Sequence, residues 1–349
     1  MTATSDVRIA AADLRAFVAA LFEAKGMSQA DAATVAEVLV WANLRGVESH
    51  GVTRAPRYLG YIDRGQLDPC GAPEVVRETP AGFLLRAHRA AGPIAMTLAI
   101  DEAARRAKES GVALGIIGET THTGAIGCYA ARAAGRGLVA LVMAAGPPNM
   151  AYFGARVPSL STSPLAIAIP KPDGTPLLLD MASAVVSLGK VREALDAGQP
   201  IPEGWALTED GRDTTDPAQA AIQLPLGGPK GSGLALMIEC LTSLLAGVPI
   251  LTAMLPPEGR ARHVQNGLVL AIDIAAFTEP AAYGQEVARL VSILKGVPRA
   301  DGVAEIFMPG ERGARTAAER ARTGIPIGAK TWERLSAAAR TLGVAAPAP

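Results

Sequence analysis

Residues 112–146, "VALGIIGETTHTGAIGCYAARAAGRGLVALVMAAG", carry the reading that decides the fold class. "VALGIIGE" is an apolar run of strand length, "AIGCYAARAAGRG" has helical spacing, and "LVALVMAAG" is a second strand. Strand, turn, helix and strand in succession belong to an α/β or α+β layer arrangement around a largely buried, mixed sheet. The turn "ETTHTGAIG" (119–127) places the backbone N–H groups of Gly124, Ala125 and Ile126 at a helix N-terminus. Free donors and the helix dipole attract phosphate there, although an ordinary strand-to-helix turn has the same pattern. No GxGxxG fingerprint follows any strand and no GxxxxGK[ST] occurs. A dinucleotide held by this chain is therefore held on a fold other than the Rossmann type.

Outward from this unit the alternation continues. "IAMTLAIDEAARRAKESG" is a helix, "LAIAIP" and "PLLLDMA" are strands, and a helix runs through Lys190 to Asp196. "SGLALMIECLTSLLAG" reads as one strongly apolar helix and "GLVLAIDI" as a late strand, while "PDGTP" and "ALTEDGRDTTDP" read as surface turns. The first quarter reads as helices. "AADLRAFVAALFEAKG" spaces Leu14, Val18 and Leu21 helically and stops at Gly26. Ser28 and Asp31 form a capping-box pattern for a second helix ending near Gly46, and Thr53 is placed to cap a third running to Gly65. The tail from Glu311 to Gly343 returns to two helices before an Ala/Pro-rich end.

With 349 residues, 49% hydrophobic and 19% charged, the chain is long enough for one large or two ordinary domains. Thirty-three basic and 33 acidic residues give no global field toward nucleic acid or an anionic membrane. Aromatic residues, at 4%, are too few for base-stacking platforms. The longest apolar stretches are strand-sized, well short of a membrane span, and the charged N-terminus does not read as a signal peptide. Cys70, Cys128 and Cys240 are far apart and odd in number, so neither a disulfide framework nor a metal site is expected. A soluble cytoplasmic protein is the expectation.

Only four histidines are present, and one lies in "LRGVESHGVTRAPRY" (44–58), in a turn between two helices. His50 titrates near neutral pH, the Ser49 hydroxyl can orient its ring, and Arg54 can clamp a carboxylate. The set suits chemistry on a carboxylate-bearing carbonyl or alcohol, while a lone loop histidine also serves as a cap or surface group. His122 in the 119–127 turn can meet phosphate, nicotinamide or substrate. "PLGGPKGSGLAL" (225–236) surrounds Lys230 with glycines, a pattern for a pyrophosphate or ribose-phosphate clamp or for a plain helix start. Asp180 ends a strand, where it can accept from a ribose hydroxyl or cap the following helix. "MPGER" (308–312) repeats the phosphate logic, and His88 and His263 read as structural.

Together these segments resemble the malate/L-lactate dehydrogenase family of the second type. With "LSTSPLAIAIP" and "IPEGWALTEDG" they follow in order along nearly the whole chain. The resemblance implies a non-Rossmann nicotinamide-binding domain (81–310), a helical substrate and dimerisation region from the chain ends (1–80 with 311–349), and a homodimer. It also implies hydride transfer between NAD or NADP and a small 2-oxo/2-hydroxy acid such as malate, lactate or sulfolactate. By position, His50 is the proton donor or acceptor and Ser49 its partner, with His122 the rival for that role. Arg54, Thr162 and His122 contact substrate. His122, Thr123, Gly124, Ala125, Ile126, Asp180, Met181, Ala182, Lys230, Gly231, Pro309, Gly310 and Glu311 line the cofactor. Where the family usually has "GTNP", this chain has Ser161 and Ser163 around Thr162. Lys190 stands where cyclic-imine reductases of the family place an acid, which favours the hydroxy-acid branch. Reduction of a cyclic imine carboxylate is the alternative within the enzyme class, and a non-catalytic small-acid binding protein the alternative outside it.

Overall fold

In the computed structural model, residues 7–256 and 264–347 are described. Strand β1 (Val7–Ile9) leads into helices α1 (Ala11–Glu23), α2 (Gln29–Leu44) and α3 (Ala55–Asp63). The hairpin β2 (Glu74–Thr79)–β3 (Gly82–Arg86) precedes α4 (Gly92–Ser110), β4 (Val112–Thr120), α5 (Gly127–Ala134) and β5 (Leu138–Ala145). Short strands β6 (Met150–Ala151) and β7 (Pro158–Leu160) come before the hairpin β8 (Leu165–Ile169)–β9 (Leu177–Met181) and helix α6 (Leu188–Asp196). Strands β10 (Ala206–Leu207), β11 (Asp213–Thr214) and β12 (Ile222–Gln223) precede α7 (Pro229–Glu239) and α8 (Leu251–Met254). The chain closes through β13 (Gln265–Asp273), α9 (Pro280–Gly296), α10 (Glu311–Thr323), β14 (Ile325–Ile327) and α11 (Ala329–Leu342).

Seven strands form the central sheet in the order β2-β3-β4-β13-β5-β8-β9. Only β3 and β4 run parallel; every other neighbouring pair is antiparallel, so the sheet is mixed. One face lies under α4 and α5, where Met96, Ile100, Ile117, Ile126, Tyr129 and Val142 are sealed from solvent. On the other face the cover is thinner: Leu114, Leu141, Met143 and Leu270 are only partly buried around Ile116 and Leu268. The residues 74–79, at the end of the stretch read as helical, form a strand of this sheet.

A second core joins the two ends of the chain. Leu14, Leu21, Phe22, Leu39 and Tyr58 from α1 to α3 pack with Ile325, Ile327 and Leu335. Strand β1 pairs antiparallel with β14 across more than 300 residues, an element the helical reading of the tail did not contain. Ser28 caps α2 as expected, its Oγ accepting from the Asp31 amide at 3.2 Å and donating to the Asp31 carboxylate at 2.6 Å. Thr53 does not cap α3: it lies inside a 3-10 turn, Val52–Arg54, and the helix begins at Ala55. The segment read as a single apolar helix changes winding, with α7 ending at Glu239 and a π-turn following over Cys240–Leu244. Buried Glu239 explains the break: its carboxylate accepts from the amides of Ile250 and Leu251 and from Ser243 Oγ. The "ALTEDGRDTTDP" turn contains the β10–β11 hairpin.

Because Leu335 comes from the far end of the chain and is fully buried among the N-terminal helices, Leu335→Ala should cost about 2–5 kcal/mol. Urea unfolding should show it matching Leu14→Ala; a cost under about 0.5 kcal/mol, the size of a surface change, would separate the tail from this core.

Candidate active site

The turn carrying Ser49 and His50 is fixed by what surrounds it. Asn43, at the end of α2, is buried, and its Oδ1 accepts the Val52 amide at 2.7 Å. A Cβ on Gly51 would stand 2.1 Å from that oxygen, so only glycine fits after the histidine. Arg320 of α10 donates to the Asn43 carbonyl and, at 2.6 Å, to Glu48, tying the C-terminal region to the turn. Within the turn Ser49 Oγ lies 2.9 Å from His50 Nδ1, and Arg54 Nε donates to the Ser49 carbonyl at 2.6 Å. These contacts leave His50 Nε2 with no partner among the described residues.

His122 reaches the same place from the turn between β4 and α5. The two imidazoles stack with centroids 5.6 Å apart. Tyr58 Oη lies 2.6 Å from His122 Nδ1, and the Gly124 amide donates to that nitrogen at 3.2 Å. An amide only donates, so Nδ1 accepts and a neutral His122 carries its proton on Nε2. Burial pushes the Tyr58 phenol well above its ordinary pKa, which keeps it a donor. The sequence reading passed over Tyr58, Asn43 and two residues of β13. Gln265 Oε1 accepts the Thr123 amide at 3.0 Å and Asn266 Oδ1 accepts the Glu119 amide at 2.9 Å, and these two side chains hold the His122 turn in place. Nothing in the one-dimensional pattern marks them, because their partners lie more than 140 residues earlier.

Half-buried His50 has its pKa lowered to about 4, first by desolvation and second by the Arg54 charge. The neutral ring is therefore the favoured form at neutral pH, which suits the acceptor half of the donor-or-acceptor role expected for His50. Arg54 is itself disfavoured by desolvation and by the charges of Arg57 and Arg192.

The residues expected to line the cofactor have distinct local duties in the structure. At the start of α5 the Thr123, Gly124 and Gly127 amides are already bonded. The Ala125 and Ile126 amides find no acceptor among the described residues although both residues are buried. Two orphaned donors at a helix N-terminus are what an anionic phosphate satisfies. Asp180 caps α5, not the helix that follows it: its Oδ2 accepts the Gly127 amide at 3.0 Å. Crowded by protein yet open to the cleft, its carboxyl is pushed up to about 6 by desolvation, against the pull of the Gly127 amide and Arg45. Met181 pairs with Leu165 at the end of β9, and Ala182 packs with Ala184 and Met150 beyond it. Lys230 is exposed in the first turn of α7 with no ion-pair partner among the described residues. Gly231 serves packing: a Cβ there would lie 2.5 Å from backbone atoms of Ser183 and Leu226. The Pro309 carbonyl accepts from Leu178 N, the Gly310 carbonyl from Arg45, and Glu311 is held by Lys295, Arg315 and the Met308 amide.

In "STSP", Ser163 adopts φ 24°, in the left-handed region that asparagine tolerates better than serine. A compensating contact is present, with Ser161 Oγ 2.7 Å from Ser163 Oγ and accepting the Ser163 amide at 3.0 Å. Thr162 between them is anchored through its backbone, its amide donating to Asn149 and its carbonyl accepting from Ser183. Lys190 stays outside the site, paired with Glu193 at 2.7 Å on the exposed side of α6. His88 is an exposed turn residue 3.7 Å from Glu74, and His263 lies outside the described residues. The described residues contain no group of three metal-ligating side chains and no helix long and apolar enough to cross a membrane.

The described site is thus a pair of stacked imidazoles beside an arginine and open backbone donors, carried on a fold whose chain has no GxGxxG loop. The chain belongs to the malate/L-lactate dehydrogenase family, whose model matches residues 9–336. It is 32% identical over 348 residues to a malate dehydrogenase of Pyrococcus horikoshii, covering 97% of this chain and 96% of that one. The solved structure of that organism's malate dehydrogenase superposes with a TM-score of 0.89, covering 98% and 97% of the two chains at 30% identity. A (2R)-3-sulfolactate dehydrogenase (NADP(+)) of Chromohalobacter salexigens is 38% identical over 270 residues, 75% of this chain and 79% of that one. The fold is shared as well with a Δ1-piperideine-2-carboxylate reductase of Pseudomonas syringae, with a TM-score of 0.82 at 28% identity over 95% and 99% of the chains.

The depressed His50 pKa has a sign that can be tested. The unfolded chain binds a proton near pH 6.5 that the folded chain refuses until about pH 4. This group's contribution to stability is therefore complete above pH 6.5 and lost as pH falls toward 4. His50→Gln should lose less melting temperature than the wild type between pH 7 and pH 5; identical losses would mean that His50 titrates normally.

Proposed function

We propose that the protein interconverts a 2-hydroxy acid and its 2-oxo acid, with His50 as the proton-transfer group and Arg54 as the carboxylate anchor. The observation that carries this reading is His50 itself: neutral, oriented through Nδ1 by Ser49, with Nε2 unpartnered and an arginine four residues away. In the oxidative direction Nε2 accepts the hydroxyl proton, while Nδ1–H donates to Ser49 Oγ. In the reductive direction the proton returns from Nε2 to the growing alkoxide, and a bound substrate carboxylate, by offsetting Arg54, eases protonation of the ring. NAD or NADP, when bound, would supply the hydride chemistry; the Ala125 and Ile126 amides and Lys230 would hold its phosphates, and Asp180 and the 309–311 turn would line the same site. His122, its Nε2 proton fixed by Tyr58 and Gly124, is placed to donate to the substrate oxygen and polarise it.

The cyclic-imine alternative gains little from this arrangement, because Lys190 is an ion-paired surface residue and no acid stands in its place to relay a proton. The division into a helical unit from the chain ends and a central cofactor unit follows the two separate cores.

The protein is proposed to work as a homodimer. Helix α2, apolar enough to serve an interface, is committed to its own core, with Val35, Leu39 and Val40 fully buried. The α7 segment differs. Met237, Leu241, Leu244 and Leu245 line one face and remain 41–57% exposed beside the thinly covered face of the sheet.

His50→Ala should lower turnover about 10²–10⁴-fold, followed at 340 nm with a panel of 2-oxo acids, while cofactor binding read by NAD(P)H fluorescence persists. Normal turnover in His50→Ala with loss in His122→Ala would transfer the proton step to His122. Sedimentation should give twice the 35.8 kDa chain mass and a monomer for Met237→Asp/Leu245→Asp; a wild-type monomer at micromolar concentration would remove the dimer.

A further inference from the structure

One helix touches both the 309–311 turn and the turn that carries His50. Helix α10 begins just after Gly310, whose carbonyl accepts from Arg45 at 2.9 Å. It then crosses the C-terminal end of α2 at close range. A Cβ on Gly313 would stand 3.1 Å from the Arg45 guanidinium, and one on Gly46 would stand 3.5 Å from Thr316 Cγ2. Gly313, Thr316 and Arg320 follow at intervals of three and four, so they share one face of the helix. From residue 310 to residue 320 the helix rises about 15 Å.

At the far end of that contact Arg320 grips the His50 turn at two points. Its side chain is only 17% exposed, and one terminal nitrogen donates both to the Asn43 carbonyl and, at 2.6 Å, to the Glu48 carboxylate. Asn43 lies in the last turn of α2, where carbonyls lack helical partners and a cation is favoured. Its side chain accepts the Val52 amide on the other side of His50. Glu48 opens the 3-10 turn Glu48–His50, and its carbonyl accepts the Gly51 amide at 3.0 Å. Both residues that Arg320 holds therefore frame His50, and Glu48 has no other side-chain partner among the described residues. The imidazole bonds within its own turn, to Ser49 at 2.9 Å, so the ring goes where the turn goes.

We infer that Arg320 is a positioning residue for proton transfer, holding the Ser49–His50 turn in register with the 309–311 turn through the body of α10. It bonds neither imidazole and acts through the frame of the turn. This rests on the proposed reading of His50 as the proton-transfer group and adds what sets its place. Proton and hydride must reach adjacent atoms of one substrate, so an error of about 1 Å in the place of either is costly. A helix hydrogen-bonded along its length carries that register from one turn to the other.

The test compares full-length Arg320→Ala, Arg320→Lys and Arg322→Ala, the last at an exposed position of the same helix. Arg320→Ala should lower kcat by about 10–10²-fold, while NAD(P)H binding read by fluorescence stays within about twofold. Arg320→Lys should keep more turnover than Arg320→Ala, and Arg322→Ala all of it. Added guanidinium ion should restore part of the turnover of Arg320→Ala, and sodium ion at the same ionic strength should not. Wild-type turnover in Arg320→Ala, an equal loss in Arg322→Ala, cofactor binding lost in step with turnover, or no rescue by guanidinium would each overturn the inference. Should Arg320→Ala fail to fold, Glu48→Ala decides, because that side chain is 51% exposed and its loss empties no core; wild-type turnover there overturns the inference. The His50 ring resonances, assigned by their loss in His50→Gln, separate this inference from the reading beneath it. They should shift in Arg320→Ala; if they do not while His50→Ala loses turnover, the inference alone is overturned. Normal turnover in His50→Ala removes the proton-transfer reading, and the inference falls with it.

Discussion

Insertion of β13 between β4 and β5 is the constraint on which the rest of the molecule depends. This strand enters the sheet more than a hundred residues after its neighbours and pairs antiparallel with both. It completes the hydrophobic layer beneath α4 through Val269 and Ala271. Its first two residues also govern chemistry. The carboxamides of Gln265 and Asn266 take the amides of Thr123 and Glu119, and Glu119 is held at φ 62°, which an unsupported glutamate seldom adopts. Sheet closure and positioning of His122 are thus one event, which is a physical reason for building the site at the end of central strands.

The turn carrying Ser49 and His50 is held by a different logic. Asn43 fills the volume beside Gly51 and takes the Val52 amide, while Arg320 clamps the turn from the C-terminal side. Because α1, α2, α3 and α11 share one core, the chain must close its two ends before His50 is fixed. His50 is thus positioned by the helices of the terminal core, and His122 both by β13 and by Tyr58 of that same core, so that the two rings stack. Their stacking at 5.6 Å places two titratable rings in a crowded cleft beside an arginine, which explains why His50 resists protonation.

Electrostatic preorganisation follows from unpaired groups left by an otherwise well-satisfied fold. The buried carboxylate of Glu239 accepts three hydrogen bonds, and surface pairs such as Lys190 with Glu193 offset part of the surface charge. Beside these, the Ala125 and Ile126 amides have no acceptor, and Lys230 no ion-pair partner, among the described residues, which leaves donors and positive charge open to anions. Unpaired groups of this kind cost stability when empty, and any anion that binds them to the folded chain would recover it.

By itself the sequence determined the elements whose signal is local. The strand–turn–helix–strand unit at 112–146 was legible because apolar periodicity changes within a few residues, and the Ser28–Asp31 cap because its partners lie three apart. The order of motifs identified the family, and through it the class of chemistry and cofactor. Tertiary structure alone decided that Asp180 caps α5 across 53 residues, that Tyr58 fixes the His122 tautomer, and that β1 pairs with β14. It alone separated α2, which is consumed by its own core, from α7, which keeps an apolar face. The physical reason is common to all of these: hydrogen bonding and burial depend on distance in space, and residues far apart along the chain leave no periodic trace of the contacts that bring them together.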